Sequence, residues 1–110
     1  MSRRLDYTRA LVAPATLVTV VTAPGGEKLE VVELSVTSDG VNAYSWLIFG
    51  VLGGVATGLD EIIVPAGQYF KAVSYQSLAL YSGDALQVII ITAGTANGTV
   101  VANYVTVNPG

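Results

Sequence analysis

A chain of 110 residues without a single histidine or cysteine is one domain with no disulfide framework and no thiolate metal centre, and it lacks the commonest general base, metal ligand and pH switch. Five basic and eight acidic residues leave a net charge of −3, a balance that argues against general nucleic-acid binding. Charged residues make up only 12% of the chain and apolar ones 52%, so a free monomer has little polar shell, and self-assembly or docking on a larger body is the more economical reading.

Residues 1–13 read as a basic N-terminal arm, extended and mobile unless tied down. Arg3, Arg4 and Arg9 are three of the five basic residues, and the remainder carries Lys28 and Lys71 against seven carboxylates. Asp6 and Arg9 interrupt any apolar stretch behind the twin arginines, so no export signal is read. Residues 14–110 read as the folded domain. The β-branched run 15–22 is the first strand, and Pro24-Gly25-Gly26 is a turn in which proline presets φ and a glycine takes the left-handed position. Residues 28–38 form the second strand. Neither of its faces is cleanly apolar, which predicts a bulge near Val31 and Val32. Asp39-Gly40 reads as a hairpin-type turn.

Residues 41–59 contain no charge. The stretch is long enough to span a membrane, and Gly50, Gly54 and Gly58 recur at the spacing of packed membrane helices. The favoured reading is a strand over 43–49 followed by a glycine-rich loop over 50–58. Tyr44, Trp46, Ile48 and Phe49 are strand formers, and each glycine weakens a helix by about 1 kcal/mol relative to alanine. A short strand follows at 60–64, then the turn Pro65-Ala66-Gly67-Gln68 and an alternating strand at 69–75. The hairpin at 78–92 turns on Tyr81-Ser82-Gly83-Asp84, where the Asp84 carboxylate can accept from turn amides. Its second arm, 86–92, is uncharged and reads as buried on both faces. Asn97-Gly98 reads as another hairpin turn ahead of the last strand, 99–107. The fold class expected is all-β, a single antiparallel β-sandwich of about seven or eight strands, jelly-roll-like.

The chemistry is sparse. Asp60 and Glu61 are adjacent carboxylates, but neighbours on a strand point to opposite faces and cannot converge on one ion or bond. They read as solvated charges, as do Glu27, Glu30 and Glu33. Asn97-Gly98-Thr99 matches the glycosylation acceptor pattern but occupies the expected turn. A serine nucleophile without histidine needs a lysine base, and Lys28 and Lys71 sit in no such motif. No catalytic residue, metal site or cofactor is expected. Six tyrosines and Trp46 form either half-buried core or a contact surface for protein or sugar, with Tyr69, Tyr75 and Tyr81 expected at one end of the sheet.

The series Pro24-Gly25-Gly26, Pro65-Ala66-Gly67 and the hairpin motif of Leu78, Leu80, Gly83, Asp84, Leu86 and Val88 resembles small β-sandwich proteins of tailed-bacteriophage virions: head decoration proteins, head fibres and tail-associated modules. The resemblance implies a non-enzymatic structural role in the virion, often as trimers clamping a capsid lattice. The leading expectation is a capsid decoration or cement protein; the alternative is a carbohydrate- or receptor-binding module of a fibre or tail. The partners expected are further copies of the chain, a major capsid or other virion protein, and a host-surface glycan; a nucleic acid and a membrane are not. Arg3, Arg4 and Arg9 are the expected capsid-contact arm. Trp46, Phe49, Val51 and Leu52, with Tyr69, Tyr75 and Tyr81, are the expected oligomer or partner contacts.

Overall fold

The computed structural model describes residues 2–108. Within them the chain forms eight strands and no helix: β1 (Ser2–Val12), β2 (Val18–Thr22), β3 (Lys28–Thr37), β4 (Tyr44–Leu52), β5 (Val55–Val64), β6 (Phe70–Leu80), β7 (Ala85–Thr92) and β8 (Gly98–Asn108). Two four-stranded sheets run in the orders β1-β8-β3-β6 and β2-β7-β4-β5, and every strand pair is antiparallel. Except at β4 and β5, which pair within one sheet, successive strands alternate between the layers in the manner of a jelly roll.

Period-two alternation builds the core. Tyr44, Trp46 and Ile48 of β4 and Leu86, Val88 and Ile90 of β7 point inward from one sheet, against Leu29, Val31, Leu34 and Val36 of β3 and Val100, Ala102 and Tyr104 of β8. Trp46 and Tyr44 are the largest fully buried side chains. The Tyr44 hydroxyl donates to the Ala96 carbonyl at 2.7 Å. The bulge expected near Val31 and Val32 is present, because β3 slips register between Val31 and Glu33 against both neighbours.

Five expectations change. The segment read as a mobile arm is β1, paired with β8 from Ser2↔Asn108 to Val12↔Gly98, so no domain boundary falls at residue 13. Its charges do not oppose pairing, since the backbone makes the ladder while Arg3 and Arg9 stand on the outer face. The segment read as the loop 50–58 is a hairpin. Gly53 and Gly54 carry φ of 60° and 83°, the two consecutive left-handed residues that a two-residue turn matching the strand twist requires. Strand β5 therefore begins at Val55, and among the described residues no helix is long and apolar enough to cross a membrane. Strand β7 is buried on one face only, as Ile91 is 56% exposed. Finally, Asn97-Gly98 is no hairpin turn: Gly98 opens β8 without a positive φ. Asp39-Gly40 likewise lies in the crossing from one sheet to the other, between β3 and β4.

Candidate functional site

The sandwich offers two outer faces of contrasting chemistry. On the β2-β7-β4-β5 sheet the residues between the buried positions point out. Register places Leu47 between Ile89 and Glu61, Ser45 between Ile91 and Ile63, Phe49 between Gln87 and Gly58, and Val51 between Ala85 and Ala56. Ile91 and Ile63 are 56% and 49% exposed. The carboxylate in this patch, Glu61, accepts from the Ser45 hydroxyl at 2.6 Å. The patch is therefore an apolar sheet face of aliphatic side chains with one locally paired charge.

The outer face of the β1-β8-β3-β6 sheet is mixed. Arg3, Leu5, Tyr7, Arg9 and Leu11 of β1 lie opposite Val107, Val105, Asn103, Val101 and Thr99 of β8. Those in turn pair with Lys28, Glu30, Glu33, Ser35 and Thr37 of β3. Two clefts open on this face. One, of about 330 Å³, lies beside the β6 irregularity at Gln76 and Ser77. Its charges are engaged: Arg3 pairs with Glu30 at 2.8 Å, and the Lys28 ammonium sits 5.6 Å from the Tyr81 ring centroid. The other, of about 350 Å³, has Tyr7, Tyr69 and Phe70 around a floor of Ser35, Thr37 and Thr99, with Arg9 at its side.

The expected site residues scatter across these surfaces. Trp46 is fully buried and presents nothing to a partner; an indole on the inward phase of a central strand fills the core. Its Nε1 is the buried side-chain polar atom left without a hydrogen-bond partner among the described residues. Phe49 and Val51 do share the apolar outer face, whereas Leu52 packs against the core margin. Tyr69, Tyr75 and Tyr81 do not cluster at one end. Tyr69 lines one cleft, and Tyr75 and Tyr81 line the other. The Tyr75 hydroxyl donates to Asp60 Oδ2 at 2.8 Å, tying β6 to β5 across the two sheets. Burial pushes its phenol well above the usual range, with the Asp60 hydrogen bond and charge adding to the effect.

The arginines do not act as one unit. Arg3 holds Glu30, Arg4 approaches Asp6 at 3.7 Å, and Arg9 forms no ion pair or side-chain hydrogen bond among the described residues. Exposed pairs of this kind contribute little to stability. Asp60 and Glu61 diverge as strand neighbours should, one to Tyr75 and the other to Ser45. Among the described residues, no group of three or more acidic, histidine or cysteine side chains could hold a metal ion. Sequence reasoning missed Tyr7, Phe70, Ser35, Thr37 and Thr99 of the second cleft, and Ile63, Ile89 and Ile91 of the apolar face. The alternation Leu5-Tyr7-Arg9-Leu11 is the signal that marks β1 as a strand with one aromatic, basic face.

No protein-family model and no curated protein matches the chain. Among solved structures it is similar to a chain from Bacillus endospore appendages, which form a family of disulfide-linked pili, with a TM-score of 0.55, 13% identity, and 99% of this chain and 90% of that chain covered. At that identity the likeness is one of fold.

Proposed function

We propose that the chain is a structural subunit of a multi-copy protein assembly, specifically a tailed-bacteriophage virion protein that decorates the capsid. The observation that carries the reading is the outer face of β2-β7-β4-β5, where Leu47 lies against Ile89, Ile91 and Ile63 flank the small Ser45, and Glu61, bonded to the Ser45 hydroxyl, is the carboxylate of the patch. Apolar patches rimmed by polar residues on a small domain mark surfaces that a partner covers. The low charge of the chain and the jelly-roll order, an architecture shared with viral capsid domains, support the same reading. So does the likeness in fold to a protein of Bacillus endospore appendages, which form pili. These residues include no cysteine, so disulfides between them do not hold the proposed assembly.

The expected assembly is a homo-oligomer, with a trimer as the working stoichiometry. Each interface would bury on the order of 800 Å² per partner. The contact with the lattice falls to the sheet faces, because the segment read as an arm is held in β1. Light scattering on the purified chain at micromolar concentration should give a multiple of 11.4 kDa, and mass spectrometry of purified virions should find the chain in many copies. A monomer in the first measurement removes the self-association, and absence from virions removes the virion role.

A further inference from the structure

We propose that the cleft between Tyr7, Tyr69 and Phe70 binds an acidic saccharide. This rests on the opposite face from the apolar patch and does not depend on the assembly reading. The three aromatic side chains come from β1, from the turn before β6 and from the first residue of β6, yet they line one cleft of about 350 Å³. They are 66%, 63% and 55% exposed, so they contribute little to the core and present ring surface to solvent.

The floor has the complementary chemistry. Ser35, Thr37 and Thr99 lie on the central strands, with Thr37 and Thr99 directly opposite each other. None of the three hydroxyls has a side-chain hydrogen bond among the described residues. Each therefore keeps a donor and two acceptor positions for a ligand. A pyranose ring has apolar C–H faces and a rim of hydroxyls, so it stacks on aromatic walls while its rim bonds a hydroxylated floor.

Charge narrows the class. Arg9 lines the cleft and no carboxylate does. Arg3 and Arg4 have acidic neighbours, whereas the Arg9 guanidinium is unpaired among the described residues. In a chain of net charge −3, an unpaired planar fork beside stacked rings suits the carboxylate of a uronic acid, which it can bind bidentately. The other cleft lacks this selectivity, because its Arg3 is already neutralised by Glu30.

The test is an NMR titration of the full chain with three probes: a galacturonic acid tetramer, a hyaluronate tetramer and a neutral galactose tetramer of the same length, with inorganic sulfate as the ionic control. At least one acidic tetramer should shift amides at Tyr7, Thr37, Phe70 and Thr99 and bind more tightly than the neutral one. Tyr69→Ala and Tyr7→Ala, both at exposed positions, should each weaken binding about tenfold. Arg9→Gln should reduce the acidic tetramer to the affinity of the neutral one. Silence toward both acidic probes overturns the proposal. So does binding that is indifferent to Tyr69→Ala and Arg9→Gln, or a shift pattern that sulfate alone reproduces.

Discussion

Gly98 backs onto the indole of Trp46: a Cβ built at Gly98 would stand 2.5 Å from Trp46 Cζ2, 2.9 Å from Ile90 Cδ1 and 2.9 Å from the Thr37 carbonyl oxygen. The backbone atom and the packed ring cannot both yield, so β8 reaches the core here only because residue 98 has no side chain. Gly98→Ala should cost about 3 kcal/mol through overpacking. Gly25→Ala, where the nearest atom is the Ser82 hydroxyl at 3.9 Å, should stay within about 0.5 kcal/mol. Urea denaturation of the two variants checks the contrast, and equal costs would dismiss the packing explanation.

Gly98 also illustrates why sequence reading succeeded on the architecture and failed in places on the purpose of a residue. Asn97-Gly98 is a strong local turn signal, but the glycine serves a tertiary contact that no local pattern encodes. The converse happened at Gly53-Gly54. Gly50 and Gly58 blurred the turn into a supposed loop, yet each lies within a strand opposite a larger neighbour, Gly50 under Leu59 and Gly58 facing Phe49. The β-sandwich class and the β3 bulge were legible because alternation and its breakdown are local. The apolar face was only half legible, since Phe49 and Val51 were marked while Ile89 and Ile91 vanished into a run read as buried twice over. The aromatic cleft was illegible, because Tyr7, Phe70 and Thr99 become neighbours only through the β1-β8-β3-β6 order.

Asp84 holds three turns together. Its carboxylate accepts from Gly53 N–H at the β4–β5 tip and from Tyr81 N–H in its own turn, both at 3.0 Å. Its carbonyl accepts from Ala23 N–H at 2.8 Å, just after β2. The side chain is buried, so removing it leaves two amides poorly satisfied. Asp84→Ala should destabilise the fold by about 2–3 kcal/mol, and Asp84→Asn by about half as much, since its amide oxygen still accepts one of the two. Hydrogen exchange should show the loss at Gly53 and Tyr81 first.

The Tyr75–Asp60 bond predicts an alkaline weakness. The phenol of Tyr75 is pushed above its ordinary value of 10.0 in the fold, so the folded state holds that proton more tightly than the unfolded one. The resulting stability is fully present below about pH 10 and drains away as pH rises toward the folded value. Tyr75→Phe should remove this pH dependence while costing about 1 kcal/mol at neutral pH. Thermal melts between pH 8 and pH 11 (about one unit beyond the free phenol's titration) measure the difference. Equal slopes for wild type and variant would refute the assignment.

At the other end of the scale, Asp39 accepts from the Val41 and Asn42 amides and from Asn42 Nδ2, each at 2.8 Å. The Val41 amide is the main cause that holds its carboxyl below the usual 3.8, with the Asn42 side chain and amide following. A depressed value means the contribution exists above the unfolded pKa and is lost as pH falls through the folded one. Asp39→Asn should therefore flatten the acid limb of the stability curve below about pH 4. An unchanged acid limb in circular dichroism would rule Asp39 out as its source.

The apolar face yields the most discriminating variant. Ile91 is 56% exposed in the single chain, so Ile91→Glu should leave the monomer fold within about 0.5 kcal/mol of wild type. In an assembly that covers this face, the same carboxylate is buried next to Ser45 and Ile89 with no cation on the patch to pair it, since the charge there, Glu61 on β5, carries the same sign. That burial costs several kcal/mol, enough to dissociate the oligomer while each chain stays folded. Protonating the new carboxyl should restore association in part near pH 4. Leu5→Glu, on the outer face of the other sheet, should leave the oligomer intact. An assembly held by this apolar face should also survive about 1 M salt, where the Debye length has shrunk to about 3 Å. Sedimentation velocity on the three proteins reads all of this at once. If Ile91→Glu sediments like wild type, the covered surface lies elsewhere.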